Sequence, residues 1–302
     1  MKENLNIKRR VFRKICNIGM KWLPDKFYLN LLYQVRMGEK LNLKNPMTFN
    51  EKLQWLKLYD RKPEYTQMAD KYEVRKYVAD RIGDKYLIPL FGVWEDVDEI
   101  DFTMLPEQFV LKCTHDSGSI IICKDKKVFD ERIAREKIRK ILKTNYFYPS
   151  REWPYRNIRP RVIAEKYMTD ESQVELKDYK VYTFGGVPYL IQVDFGRFTE
   201  HRRNLYTTDW EYIDETIEYP RDPAIKIERP KKLEDMLSCA EKLAKGTISL
   251  RTDFYSINDK IYFGELTFYQ EAGFAHFSSE AYARKLGEMI YLPTTNITFS
   301  KN

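Results

Sequence analysis

The chain has 302 residues, enough for a large core and two or three subdomains. Hydrophobic residues make up 43% and charged residues 32%, with 22 Tyr and 17 Phe, which excludes a wholly disordered chain and confines disorder to the ends. The excess of 52 Lys+Arg over 45 Asp+Glu, a net +7, suits anionic small substrates, a membrane surface or nucleic acid, and equally an ordinary solvated basic surface.

The sequence contains no apolar run of about 18 residues and its basic N-terminus leads into no secretory signal, so a cytoplasmic protein is expected. Cys16, Cys113, Cys123 and Cys239 lie far apart with no Cys-x-x-Cys pair, and His115, His201 and His276 are scattered. Neither a zinc site nor a disulfide framework is expected.

In chain order, Ile7, Val11, Ile15, Ile18 and Trp22 recur at helical spacing among Lys8, Arg9, Arg10, Arg13 and Lys14. This amphipathic stretch either packs on the body or docks on an anionic membrane face or a partner. Thr48 with Glu51 three residues later reads as a capping box opening a helix whose apolar set is Leu53, Trp55, Leu56 and Leu58. A helix over 70–82 closes at Gly83, and YLIPLFGVWED follows as a strand and a turn. Residues 109–113 and 120–123 form two short strands around THDSGS.

A charged helix spans 130–143, and YPSREWPYRNIRPR after it is an irregular connection and a subdomain boundary. Then come the strand RVIAEKYM, the pair DYKVYTFGG and VPYLIQVDF, a helix over 232–245, and the strands SLRTDFYSI and KIYFGELTF around Asn258-Asp259. Irregularly mixed helices and hairpins predict an α+β fold.

Asp253 and Glu265 lie on those last strands, equidistant from a turn centred near residue 259, so they come close to opposite each other. Opposed carboxylates repel unless a cation lies between them, and Mg²⁺ uses one or two carboxylates plus phosphate oxygens. Arg251 projects from the same face, suited to a phosphate or carboxylate, and Thr267 adds a neutral oxygen. A solvent-facing strand pair would show the same alternation.

Lys112 interrupts an apolar strand ahead of Ser117, Gly118 and Ser119, either a phosphate-cradling loop or a plain β-turn in which His115 and Asp116 are turn formers. Glu165 and Lys166 end another strand, and Asp178 and Lys180 share one face of the next; alone, these are ordinary edge charges.

Taken in order, LKCTHDSGSIIICKDK, EKYM, DYKVYTFGG, RTDFY and YFGELTF resemble the ATP-grasp superfamily, as in D-alanine–D-alanine ligases, and within it the teichuronopeptide-biosynthesis, or TupA-like, branch. The resemblance runs from about Thr48 to Leu292. It implies two α+β subdomains clamping ATP plus an N-terminal helical region: a helical, substrate-side segment over 1–70, a lid subdomain over 71–164, and a core subdomain with the metal site over 165–302.

By the same resemblance, Lys71 in ADKYEVR and Lys112 hold the ATP phosphates under the 117–119 loop. Glu165, Lys166 and Met168 line the adenine, and Asp178 reaches the ribose. Asp253 and Glu265 hold Mg²⁺, Arg251 stabilises the transferring phosphoryl group, and Lys180 meets phosphate or the acyl phosphate. Thr267 stands where many of these enzymes carry Asn, and Tyr269 to Gly273 where they carry a Pro-Gly turn. A first metal ion is therefore better supported than a second.

The implied reaction phosphorylates a carboxylate with ATP and passes it to an amine, which requires positioning and charge neutralisation and no nucleophilic side chain. Arg197, His201, Arg202 and Arg203 suit a doubly anionic substrate such as a sugar nucleotide or uronate, or form a basic solvated loop. The branch implies a uronic-acid carboxylate of a bacterial capsule or cell-wall polysaccharide. Expected partners are that acid and an amine, with contact to membrane-associated polysaccharide machinery and none to nucleic acid. A glycosyltransferase of the same pathway is the main rival, although no Asp-x-Asp motif supports it, and a non-catalytic anion- or membrane-binding module is a further one.

Overall fold

The computed structural model of the protein describes residues 20–170, 176–196 and 200–293. The amphipathic stretch from Ile7 to Ile18 and the candidate Arg197 lie outside them, and so does Cys16; Cys113, Cys123 and Cys239 are free and buried. Trp22 is exposed, just ahead of a helix that the sequence pattern did not predict, α1 (Asp25–Met37). No helix of the described residues is long and apolar enough to cross a membrane.

Helix α2 (Phe49–Tyr59) begins with the expected reciprocal cap, Thr48 accepting from the Glu51 amide while Glu51 accepts from the Thr48 amide, and it buries Leu53, Trp55 and Leu56. After α3 (Glu64–Ala69), helix α4 (Val74–Ile82) starts four residues later than expected. Asp70 accounts for the delay: its carboxylate accepts from the Tyr72 and Glu73 amides and pairs with Arg161, which holds 70–73 as a turn.

Strands β1 (Leu90–Trp94), β2 (Phe109–Cys113), β3 (Ile120–Cys123) and β4 (Val162–Lys166) form a small antiparallel sheet in the order β1-β4-β2-β3. Helix α5 (Glu131–Leu142) covers it, with Ile138 in a core that includes Phe109, Leu111, Val162 and Ala164. A short helix α6 (Phe147–Ser150) follows.

The large sheet is antiparallel throughout, in the order β10-β9-β5-β6-β7-β8. Its strands are β5 (Asp178–Phe184), β6 (Val187–Phe195), β7 (Arg202–Tyr206), β8 (Tyr212–Ile213), β9 (Ser249–Ile257) and β10 (Lys260–Thr267). Val181, Ile191, Val193 and Phe254 lie in the main core with Met236, Ala240 and Leu243 of α7 (Leu233–Ala244). Period-two alternation sends their neighbours to the opposite face.

Val74, Tyr77 and Val78 of α4 belong to the main core, and β4 pairs Glu165 and Lys166 into the small sheet.

Helix α8 (Glu280–Glu288) crosses the start of α2 at Gly287, where a Cβ would fall 2.2 Å from the Met47 carbonyl oxygen and 2.9 Å from the Thr48 carbonyl carbon. Gly287→Ala gains about 1 kcal/mol in helix propensity but forces backbone apart, so a net destabilisation of about 1–3 kcal/mol is expected. Urea unfolding checks this, and a stabilised variant would contradict the close crossing.

Candidate active site

A cavity of about 500 Å³ is lined by residues of both sheets and by the segments that follow α6 and β10. Its floor is the polar face of the large sheet. Asp178 and Lys180 on β5, Asp194 on β6, Arg203 on β7, Arg251, Asp253 and Tyr255 on β9, and Glu265 and Thr267 on β10 all line it.

The opposition of Asp253 and Glu265 depends on a β-bulge. Asn258 and Asp259 both take positive φ, +48° and +58°, in the two-residue turn. From there the strands pair as Lys260 with Ile257 through Phe263 with Phe254, a register that would leave Asp253 facing Gly264. The register shifts after Phe263, and Glu265 then pairs with Asp253 and Thr267 with Arg251. A Cβ on Gly264 would sit 3.1 Å from the Asp253 carbonyl oxygen, so glycine lets the bulge close.

The cation between the two acids is Arg251 itself. Its Nε and Nη2 donate to Asp253 at 2.6 and 2.8 Å, and Nη2 also reaches Glu265 Oε1 at 3.3 Å and Thr267 Oγ1 at 3.2 Å. Lys180, directly across from Asp253, pairs with it and lies 3.4 Å from Asp178. Burial alone would raise the Asp253 carboxyl, but Arg251 and then Lys180 outweigh it and hold it below its ordinary range. Arg251 is correspondingly held well above its own: burial opposes the charge, and Asp253, Tyr182 and Glu265 prevail.

From the small-sheet side come Lys71, Arg75, Lys112, Ser117, Gly118 and Glu165. Lys71 Nζ donates to the Cys113 carbonyl at 3.1 Å and to that of Asp116, which pins the β2–β3 loop. Glu165 is shared by Lys112 at 2.7 Å and Arg75 at 3.1 Å. Lys71 also lies 3.7 Å from the Asp116 carboxylate, so each of the three cations on this side has an acidic partner. Arg75 sits within the quoted ADKYEVR motif, yet position 75 had no expected role.

Several expected residues lie elsewhere. Ser119 is not among the lining residues: its hydroxyl donates to Asp116 at 2.5 Å and accepts from the Cys113 amide. Asp116 thus shapes the turn, and His115 is tied to the Ile141 carbonyl at 3.1 Å. Lys166 follows Glu165 on one strand, so its side chain points the other way, into a separate open surface cleft with Phe91 and Tyr167. Met168 does not line the cavity, and Glu165 is held as an ion-pair partner and not as a free contact for a base.

The basic group divides for the same reason. Arg202 pairs with Glu200 away from the cavity, while Arg203 faces it but is spent on structure. Arg203 donates to Asp194 at 2.6 Å, to the Ile217 carbonyl at 2.9 Å and to Glu271 at 3.1 Å. His201 lines the cavity, its ring on Tyr219 at 3.8 Å between centroids and 3.7 Å from Asp194.

The match to the family described as TupA-like ATPgrasp covers residues 51–291. The chain belongs to that family. ATP-grasp ligases are enzymes that use ATP with Mg²⁺. No curated protein matches the chain. Similar solved structures include D-alanine–D-alanine ligase from Bacillus anthracis complexed with ATP, at 16% identity and TM-score 0.42 over 74% of this chain and 64% of that one. A RimK domain ATP-grasp protein from Sphaerobacter thermophilus is 14% identical over 75% and 67% of the two chains, at TM-score 0.40. The biotin carboxylase domain of Hydrogenobacter thermophilus 2-oxoglutarate carboxylase is 16% identical over 67% and 40%, at TM-score 0.41. The chain thus spans less than two thirds of that D-alanine–D-alanine ligase, and the family assignment rests on the match over 51–291.

Among the described residues no three His, Cys, Asp or Glu side chains cluster as a self-sufficient metal site. The donor set is still chemically apt for Mg²⁺, since two opposed carboxylates and a hydroxyl are hard oxygen ligands and phosphate oxygens complete the shell.

The two acids carry unequal structural weight, because the Asp253 side chain is 3% exposed and that of Glu265 39%. Asp253→Asn leaves Arg251 and Lys180 buried without their carboxylate and is expected to cost about 3–5 kcal/mol. Glu265→Gln is expected to cost less than about 1 kcal/mol. Parallel urea titrations test the contrast, and equal losses would refute it.

Proposed function

We propose that the protein is an ATP- and Mg²⁺-dependent carboxylate–amine ligase that forms an amide through an acyl phosphate. The observation that carries this is the Arg251–Asp253–Lys180 cluster, with Glu265 across the hairpin, facing Lys71, Arg75 and Lys112 over one cavity. Asp253, Glu265 and, more weakly, Thr267 would hold the metal, which when bound neutralises phosphate charge and orients the transferring group. Lys71 and Lys112 bind phosphate oxygens beneath Ser117 and Gly118, and Asp178 takes the ribose. Lys180 and Arg251 meet the charge that develops on the phosphoryl group, being held charged by Asp253 before substrate arrives.

The acid is a uronic-acid carboxylate, on a sugar nucleotide or a glycan, in polysaccharide synthesis. Family membership and the basic cavity support this choice. Contact with a membrane-bound assembly belongs to the same proposal.

Incubation with ATP, Mg²⁺, UDP-glucuronate and a panel of primary amines is expected to yield ADP, phosphate and a condensation product. Glu265→Gln should lower turnover at least about 100-fold while remaining folded. A sugar-transfer enzyme would consume the sugar nucleotide and leave ATP untouched. That outcome, or release of AMP and pyrophosphate, would overturn the proposal.

A further inference from the structure

One wall of the cavity has no part in the scheme above. Glu152 lies in the irregular YPSREWPYRNIRPR connection, is 5% exposed, and lines the cavity near Tyr146, Tyr155, Tyr269 and Glu271. A buried carboxylate is costly unless it is paired and hydrogen-bonded.

The surroundings are built to hold it. Arg151, immediately before it, is fully buried in the left-handed region at φ +56°, where a non-glycine residue is strained. Its guanidinium pairs with Asp25 at 2.9 Å and stacks on Tyr28 at 4.0 Å, anchoring the connection to α1. On the other side Lys57 of α2, also fully buried, donates to the Ser150 carbonyl at 2.8 Å and the Ala272 carbonyl at 2.7 Å. One ammonium therefore ties the Glu152 segment to the loop after β10. That loop is strained too, with Glu271 and Ala272 at φ +48° and +52°.

Lys57 spends its protons on carbonyls, and the Ser150 hydroxyl donates to Glu152 Oε1 at 2.8 Å, which leaves Oε2 for the cavity. The charged groups that act on Glu152 are Lys57 and Arg36, which favour its ionised form, and Glu265, which opposes it. Burial is the largest influence and raises its pKa, while burial lowers Lys57 to about 7. Tyr155 lines the same cavity as Glu152 and Glu265, and its ring packs edge-on against Tyr146 at 4.8 Å between centroids.

We propose that Glu152 and the tyrosines beside it form the subsite for the amine co-substrate, a primary ammonium, and that Glu152 is the catalytic base that deprotonates it. This rests on the ligase reading. The ammonium docks against the carboxylate and the electron-rich ring faces. Glu152 Oε2 takes one proton, and the freed nitrogen lone pair forms the C–N bond at the acyl carbon. The C–O bond to phosphate breaks, its electron pair leaving with the phosphate, which carries off the second nitrogen proton. Glu152 returns its proton to water. Lys57 is a positioning residue that fixes both walls of the subsite.

The test compares two acceptors of the same acyl phosphate from ATP and UDP-glucuronate. Hydroxylamine is neutral at ordinary pH and needs no base, whereas the amine found active in the wild type arrives protonated. Glu152→Gln is expected to lower the ratio of amide to hydroxamate formation by about 100-fold, the ordinary worth of a general base. If Glu152→Gln does not fold, Glu152→Asp keeps the charge beside Lys57 and should still lower that ratio at least tenfold. An unchanged ratio in a folded variant overturns the assignment. No hydroxamate from the wild type defeats the ligase reading itself, and this proposal with it.

Discussion

The buried ion cluster of Arg251, Asp253 and Lys180 constrains everything around it. A carboxylate whose side chain is 3% exposed on the face of a sheet is tolerable only with cations in contact, and those cations reach it from its own strand and from the neighbouring strand in register. β5 and β9 therefore pair with Lys180 directly opposite Asp253, and Arg251 stands two residues away on the same face. Strand alternation then sends Val181 and Phe254 to the other side, where α7 covers them. Polar floor and apolar core are two consequences of one register.

The cavity above this floor is a place where charge is stored in pairs. Glu165 balances Lys112 and Arg75, Asp194 balances Arg203, and Asp253 balances Arg251 and Lys180. The Glu165 and Asp253 groups each hold two cations at the cavity without an uncompensated buried charge. A polyanion accompanied by a divalent metal ion meets such a surface with little rearrangement, because the donors already point where its charge would lie. Arg203 differs from the other cavity cations: with two carboxylates and a carbonyl as acceptors, its guanidinium holds β7 and the loop after β10 together.

Two buried cations join the helical N-terminal region to this centre. Arg151 and Lys57 hold adjacent residues of the same connection, one through Asp25 and the other through the Ser150 carbonyl, with Lys57 also reaching the Ala272 carbonyl. Left-handed residues on both sides of Lys57 persist because these contacts over-determine them. The short link between α6 and the 3-10 turn Trp153–Asn157 is thereby fixed as a cavity wall.

The local pattern in the chain was enough for most elements, since alternation, the Thr48–Glu51 cap and the Asn258-Asp259 turn act between near neighbours. It also put Arg251 with Asp253, and Asp178 with Lys180, on one face of their own strands, because a strand's period of two is a local property. Other features depended on partners distant in sequence. Asp70 delays α4 by binding Arg161, the bulge at Gly264 corrects a count that the turn alone would leave one residue out, and Lys166 faces outward because β4 pairs between β1 and β2. Arg75 and Glu152 carried no local signal, being a charged residue on a helix and an acid in an irregular stretch. Only packing gives them a role, because the direction of a side chain is local while the group it meets is not.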